Sequence, residues 1–147
     1  MAVNLRAAFQ LTMLSVPHLI ATRGNVVNVS SVAGARSFPG DVVYGMSKAA
    51  LDQMTSCTAL ELAAKGVRVN GINPGVIVTD FVNRLGMTED QVVEFMEHKK
   101  EVYPLGRVGE ADEVAQAIAF LASSSSVSFI TGEHLHVDAG LHVACPR

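Results

Sequence analysis

An α/β fold with buried strands is what this sequence predicts, and three observations predict it. Short runs rich in β-branched residues, N-V-V-N-V-S (Asn25 to Ser30) and V-R-V-N-G-I (Val67 to Ile72), read as strands. Stretches with apolar residues at helical spacing flank them. Hydrophobic residues make up 49% of the 147-residue chain and charged residues 17%, an ordinary balance for an α/β interior. By length the chain is one domain, 1–147, long enough to bury a real core.

Ala2 to about Ala21 reads as a helix with Leu5, Phe9, Thr12/Met13 and Val16 on one stripe. Pro17 objects mildly, since it removes an amide and kinks a helix interior. Gly24 suits a left-handed cap at its end. The strand Asn25–Ser30 is rich in valine, as a central strand buried on both faces would be. Ser31 to Asp41 is a loop of small residues, with a turn signal at Pro39-Gly40. Tyr44 to about Lys65 is a second helix, with Leu51, Met54, Thr58 and Leu62 facing inward and Gly66 closing it. After the strand Val67–Ile72, Pro74-Gly75 breaks the chain.

Asp80 to Met87 is irregular. Thr88 and Gln91 then form a T-x-x-Q capping box for a helix to about Lys100. Phe81, Leu85, Met87, Val92, Phe95 and Met96 make this insertion apolar on one side. They suit either a substrate with a hydrophobic part or packing against the core. A further helix, about Ala111 to Ala122, carries Asp112 and Glu113 in its first turn, favourable to the dipole, and Val114, Ile118 and Leu121 as its buried stripe. Ser123 to Ser126 is a short low-complexity linker. His134 to Val137 is the last strand and Asp138-Ala139-Gly140 a turn. His134 and His136 share a face at strand spacing, which suits a metal, but no third ligand lies nearby, so no metal site is expected.

Composition excludes several classes. A net charge of −3 leaves no electrostatic footprint for nucleic acid. No apolar run reaches membrane-span length. Cys57 and Cys145 lie far apart, without metal spacing or a disulfide framework, so an intracellular, reducing compartment is the default. No three-part signal peptide is apparent at the start.

The chemistry concentrates between Asn25 and Lys48. Tyr44 and Lys48 are four residues apart, hence on one helix face, so phenol and ammonium can sit side by side. A free tyrosine has a pKa of about 10, and bringing it to about 7 requires about 4 kcal/mol. One ammonium about 4 Å away at an effective dielectric near 20 supplies a term of that size. Ser31, at the carboxyl end of its strand, could hold a substrate oxygen while Tyr44 moves the proton.

Asn4, Ser31, Tyr44, Lys48 and N-P-G-V-I-V-T (Asn73 to Thr79) together resemble the short-chain dehydrogenase/reductase family, and T-G-E-H-L-H-V-D-A-G (Thr131 to Gly140) resembles its last strand and turn. The chain is most similar to the single-domain, 3-oxoacyl-carrier-protein-reductase-like members. The resemblance implies a three-layer, Rossmann-like, doubly wound parallel sheet. It implies a catalytic tetrad of Asn4, Ser31, Tyr44 and Lys48. It implies that NAD or NADP is held by Tyr44, Lys48 and the run Pro74, Gly75, Val76, Ile77 and Thr79, with a substrate lid at about 80–105. At Asn4, alternatively a cap or surface amide, the family has a kink that binds a water. The two helices around this tetrad pair with their copies in the family, implying a homodimer or homotetramer.

One departure stands out. The glycine-rich T-G-x-x-x-G-x-G turn and the N-A-G motif of the family are absent from this sequence. Three strand–helix units of about 30 residues each, so roughly 90 to 100 residues, are what the comparison finds missing. The chain therefore reads as the C-terminal part of a longer enzyme, and taken alone as an inactive one. Three functions stay in view. The first is an NAD(P)-dependent oxidoreductase of a carbonyl or secondary alcohol. The second is an epimerase or dehydratase using the same residues. The third is a non-catalytic fragment or interaction subunit. The cytoplasm is the expected location, and a mitochondrial address, which would be encoded upstream, stays open. Neither the substrate nor the NAD-versus-NADP choice is legible.

Overall fold

A computed structural model describes residues 1–79 and 86–145. A π-helical turn over Ala2–Ala7 runs into α1 (Ala8–Thr22), followed by β1 (Asn25–Val29), a short α2 (Val32–Ala35) and α3 (Val42–Ala63). Then come β2 (Arg68–Pro74), β3 (Ile77–Val78), α4 (Glu89–Val102), β4 (Gly109–Glu110), α5 (Ala111–Ala122), β5 (His134–Val137) and a 3-10 turn over Leu141–Val143. The main sheet is three-stranded and parallel in the order β1-β2-β5, in register from Asn25 opposite Arg68 and from Gly71 opposite His134. A second parallel pair joins β3 to β4.

The pleat of β2 explains the layers. Val69 points to one face, where it meets Ala59 and Leu62 of α3 and is flanked by Val16 and Leu19 of α1 and Val26 of β1. Ile72 points to the other, where it meets Val114 and Leu121 of α5, with Val27, Leu135 and Val137 around them. Alternation along a strand thus feeds two cores, one on each side of the sheet. Burying Ile72 completely stabilises by about 1.5–3 kcal/mol. The three-layer parallel α/β architecture expected from the sequence is the one observed. β2 is the central strand, and β1 is paired on one side only among the described residues.

Several local expectations need correction. The left-handed residue closing α1 is Arg23 (φ 50°), not Gly24. Gly24 serves instead in a close approach, since a Cβ there would lie 3.1 Å from Thr22 Oγ1 and 3.2 Å from Leu19 Cδ2. The loop after Ser31 contains the helical turn α2, capped by the Ser31 hydroxyl, which accepts from the Ala33 amide. The buried stripe of α3 is Ser47, Leu51, Thr55, Ala59 and Leu62, with Met54 and Thr58 only half-buried. On α1 Thr12 is buried while Phe9 and Met13 are exposed. Pro74 does not break β2 but ends it, opposite Val137. The Thr88–Gln91 capping box is present in both directions. The expected irregular segment falls largely on residues 80–85, outside the described residues, and with it Phe81 and Leu85. Among the described residues, no helix is long and apolar enough to cross a membrane.

Candidate active site

The site is assembled at the carboxyl ends of β1 and β2, where α3 begins. α3 places Tyr44 and Lys48 one turn apart. The Lys48 ammonium lies 5.7 Å from the centre of the Tyr44 ring and donates to the Val29 carbonyl at 3.1 Å. That bond ties the helix to the last residue of β1. Burial lowers the pKa of Lys48 from its usual value, opposed by the carboxylate of Asp52 one turn further along.

Ser31 follows β1 directly and is buried. Its Oγ accepts from the Ala33 amide at 3.2 Å, an N-cap arrangement that leaves the hydroxyl proton for another acceptor. Asn4 sits in the π-helical turn, where the Arg6 amide reaches back to the Met1 carbonyl. Its side-chain amide donates to Ser47 Oγ at 3.1 Å, and Ser47 in turn donates to the Tyr44 carbonyl at 2.7 Å. Asn4 is therefore linked to the helix that carries Tyr44 and Lys48, through a serine that lies between them. A π-turn inside a helix often accompanies a functional residue, and here it carries Asn4.

The segment after β2 borders the same space. Pro74 is buried, Gly75, Val76 and Ile77 are half-buried, and Thr79 is exposed with Oγ1 3.5 Å from the Ile77 carbonyl. The Ile77 side chain packs against the core of Ile72, Val114 and Leu121, and its backbone pairs with Gly109 of β4. Gly75 is required for closeness: a Cβ there would lie 2.8 Å from the Tyr103 hydroxyl and 3.2 Å from Asp138 Cα. Tyr103, 4% exposed, accepts from the Val76 amide through its hydroxyl at 2.7 Å. Burial pushes its phenol pKa up, with the Val76 hydrogen bond working against it.

Tyr103 and Ser47 are contributors that no motif announced, and Asn73, the first residue of the N-P-G-V-I-V-T run, was given no role of its own. Asn73, 1% exposed, donates to the Ser31 carbonyl at 3.1 Å and to Asp52 Oδ2 at 2.9 Å. The available signal was an asparagine between the strand read as Val67–Ile72 and Pro74-Gly75. The two strand histidines have other partners. His134 Nε2 shares a hydrogen bond with Ser56 Oγ at 2.9 Å, and His136 stacks on His142 with ring centres 4.1 Å apart. No group of three or more potential metal-ligating side chains occurs among the described residues.

A parallel sheet with a hydroxyl, a phenol and an ammonium gathered beyond its strand ends defines a class of α/β proteins that bind a ligand outside the carboxyl edge. The family model described as enoyl-(acyl carrier protein) reductase matches residues 1–142. The 3-oxoacyl-[acyl-carrier-protein] reductase FabG of Thermotoga maritima is 44% identical over 95% of this chain and 54% of its own length. The L-fucose dehydrogenase of Bos taurus is 39% identical over 99% of this chain and 53% of its own. A short-chain dehydrogenase/reductase of unknown function from Caenorhabditis elegans, solved with cofactor, superposes with a TM-score of 0.91 at 37% identity, over 97% of this chain and 54% of that one. The chain belongs to the short-chain dehydrogenase/reductase family, and it spans about half the length of these relatives.

Proposed function

We propose that this chain supplies the catalytic group of an NAD(P)-dependent oxidoreductase that interconverts a carbonyl and a secondary alcohol. The observation that carries the reading is the joint placement of Ser31, Tyr44 and Lys48 at the carboxyl ends of β1 and β2. Relatives named as reductases and dehydrogenases support it.

The residues present fit the nicotinamide end of such a cofactor. The Gly75–Ile77 backbone passes beside the site with its close approach kept open at Gly75. Lys48 and Tyr44 would contact the ribose, and the backbone of Val76 and Ile77 with Thr79 the carboxamide. When bound, the nicotinamide supplies or accepts the hydride at the reacting carbon.

The chain's own groups handle the oxygen and the proton. Ser31 holds the substrate oxygen by its hydroxyl hydrogen. Tyr44 donates its phenolic proton to that oxygen in reduction and takes it back in oxidation. Lys48 favours the phenolate by its charge. Asn4, through Ser47, holds the helix turn on which Tyr44 and Lys48 sit. The lid reading stays with α4, where Val92, Phe95 and Met96 are half-buried and suit an apolar substrate part. The expected setting is the cytoplasm.

A homodimer or homotetramer is part of the reading. Phe9, Leu11, Met13 and Leu14 on α1 and Met46 and Leu60 on α3 are each at least 50% exposed. A groove lined by Met1, Ala2, Leu5, Arg6, Phe9 and Met54 runs between the start of α1 and α3. Such a continuous apolar surface suits a partner.

The test joins this chain to the portion of the Thermotoga maritima reductase that it does not match. The joined protein is expected to consume NADH or NADPH with a β-keto ester. The 147-residue chain alone is expected to bind neither cofactor at micromolar concentration, because no glycine-rich turn in its sequence offers amides to the pyrophosphate. A folded joined protein without turnover would refute the oxidoreductase reading. Ordinary turnover by the chain alone would refute the need for further phosphate-holding residues.

A further inference from the structure

A polar cluster behind α3 is left over once the catalytic group is assigned. Asp52 lies one turn beyond Lys48 and two beyond Tyr44, with its side chain only 17% exposed. Its Oδ2 accepts from the Asn73 side-chain amide at 2.9 Å, and that same nitrogen donates to the Ser31 carbonyl at 3.1 Å. Behind Asp52, the Nδ1 of His134 stands 3.7 Å from Oδ1, too far for a hydrogen bond, while its Nε2 is engaged with Ser56. Asp52 Oδ1, Asn73 Oδ1 and His134 Nδ1 are buried without hydrogen-bond partners.

Two glycines make room for this cluster. A Cβ on Gly34 would collide with Asp52 Oδ2 and lie 3.0 Å from the Lys48 carbonyl carbon. A Cβ on Gly71 would lie 2.8 Å from His134 Nδ1. The backbone is thus shaped around a carboxylate and an imidazole. A nearly buried carboxylate with one oxygen unpaired is costly, and a neutral asparagine would make the same bond to Asn73 at less cost. Hydrogen bonding to Asn73 therefore does not account for the charge. Among the described residues, the titratable groups around Lys48 and Asp52 are Tyr44 on the same helix and, behind Asp52, His134 and His136 on β5.

We propose that Asp52 is a positioning residue for the Ser31–Tyr44–Lys48 group: its carboxylate anchors the Asn73 amide that carries the Ser31 backbone and stands one helical turn from Lys48 as its acidic neighbour. The proposal rests on the oxidoreductase reading of those three residues. Asp52 touches no reacting atom; it acts through Asn73 and Lys48. The lowering of the Lys48 pKa by burial is what the carboxylate counteracts.

The test reads Lys48 directly and needs no turnover. The side-chain carbon and nitrogen resonances of Lys48 are followed against pH by NMR in the 147-residue chain, assigned by comparison with Lys48→Arg. In Asp52→Asn the Lys48 midpoint is expected to fall by on the order of one pH unit, the size of one nearby charge removed from a partly screened site. Asp52→Glu, which keeps the charge, is expected to restore most of the wild-type value. If Asp52→Asn does not fold, Asp52→Ser replaces it under the same criterion. An unchanged midpoint in a folded neutral variant would overturn the proposal. So would the failure of both neutral variants to fold, because the carboxylate would then hold the fold rather than the ammonium. The titration is blind to hydride transfer, so failure of the oxidoreductase reading would show in the joined-protein assay and not here.

Discussion

The two sides of α3 are built on opposite plans. Toward the sheet, its residues make polar contacts: Ser47 meets Asn4, Lys48 meets Val29, Asp52 meets Asn73, and Thr55 accepts from Asn28 at 2.9 Å. Away from the sheet, α3 and its neighbour α1 present apolar side chains with nothing over them, Leu60 at 81% exposure and Leu14 at 75%. One side makes polar contacts within the chain and the other is exposed. The proposed chemistry rests on the first side and the proposed assembly on the second.

The sharpest way to break the outer side is a charge. Leu14→Glu is expected to convert the joined protein from dimer or tetramer to monomer in sedimentation at micromolar concentration. The same variant should leave the helix content of the 147-residue chain unchanged, since Leu14 makes no buried contact there. Persistence of the oligomer would place the interface elsewhere.

The segment beyond β2, which borders the inner side, is tested at Tyr103. Tyr103→Phe removes the acceptor of the Val76 amide and is expected to cost about 1–3 kcal/mol of stability, read as a lower urea midpoint at unchanged slope. A change within error would mean that water replaces the hydroxyl.

A site remote from both sides supplies the smallest effect. Arg107 grips the exposed Glu113 carboxylate with two hydrogen bonds, at 2.8 and 2.6 Å, and with the Glu110 amide holds its pKa at about 2. A depressed carboxylate pKa adds stability that is present above the unfolded value and lost as the pH falls through the folded one. In Arg107→Ala the Glu113 carboxyl carbon is expected to titrate closer to the ordinary glutamate range by NMR. Stability near neutral pH should barely change, because exposed pairs contribute little.

The legible parts of this molecule were the local ones. Tyr44 and Lys48, Thr88 and Gln91, and the strand at His134–Val137 are set by spacings of two to four residues, and such spacings are visible in a string. The contacts of Tyr103 and Asn73 were not legible, because their partners lie 27 and 42 residues away and are fixed only when β2 meets β1 and the end of α4 folds back. Arg23 shows a different failure. Gly24 drew the left-handed cap on propensity, yet it sits where a Cβ would press on the Thr22 and Leu19 side chains, and the positive φ fell to its neighbour. The outward face of α1 was misplaced for a related reason. Periodicity finds an apolar stripe but does not tell which stripe is buried by its own chain and which stays exposed.

The central claim is that Tyr44 is the proton donor of a group this chain builds by itself. The most direct measurement compares the joined protein with its Tyr44→Phe variant, reading NADPH consumption with a β-keto ester beside cofactor binding by fluorescence. Loss of the proton-transferring oxygen is expected to lower kcat by about a hundred- to ten-thousand-fold while cofactor affinity changes little. A Tyr44→Phe enzyme that kept most of its kcat would contradict the account, and the proton would have to come from another group.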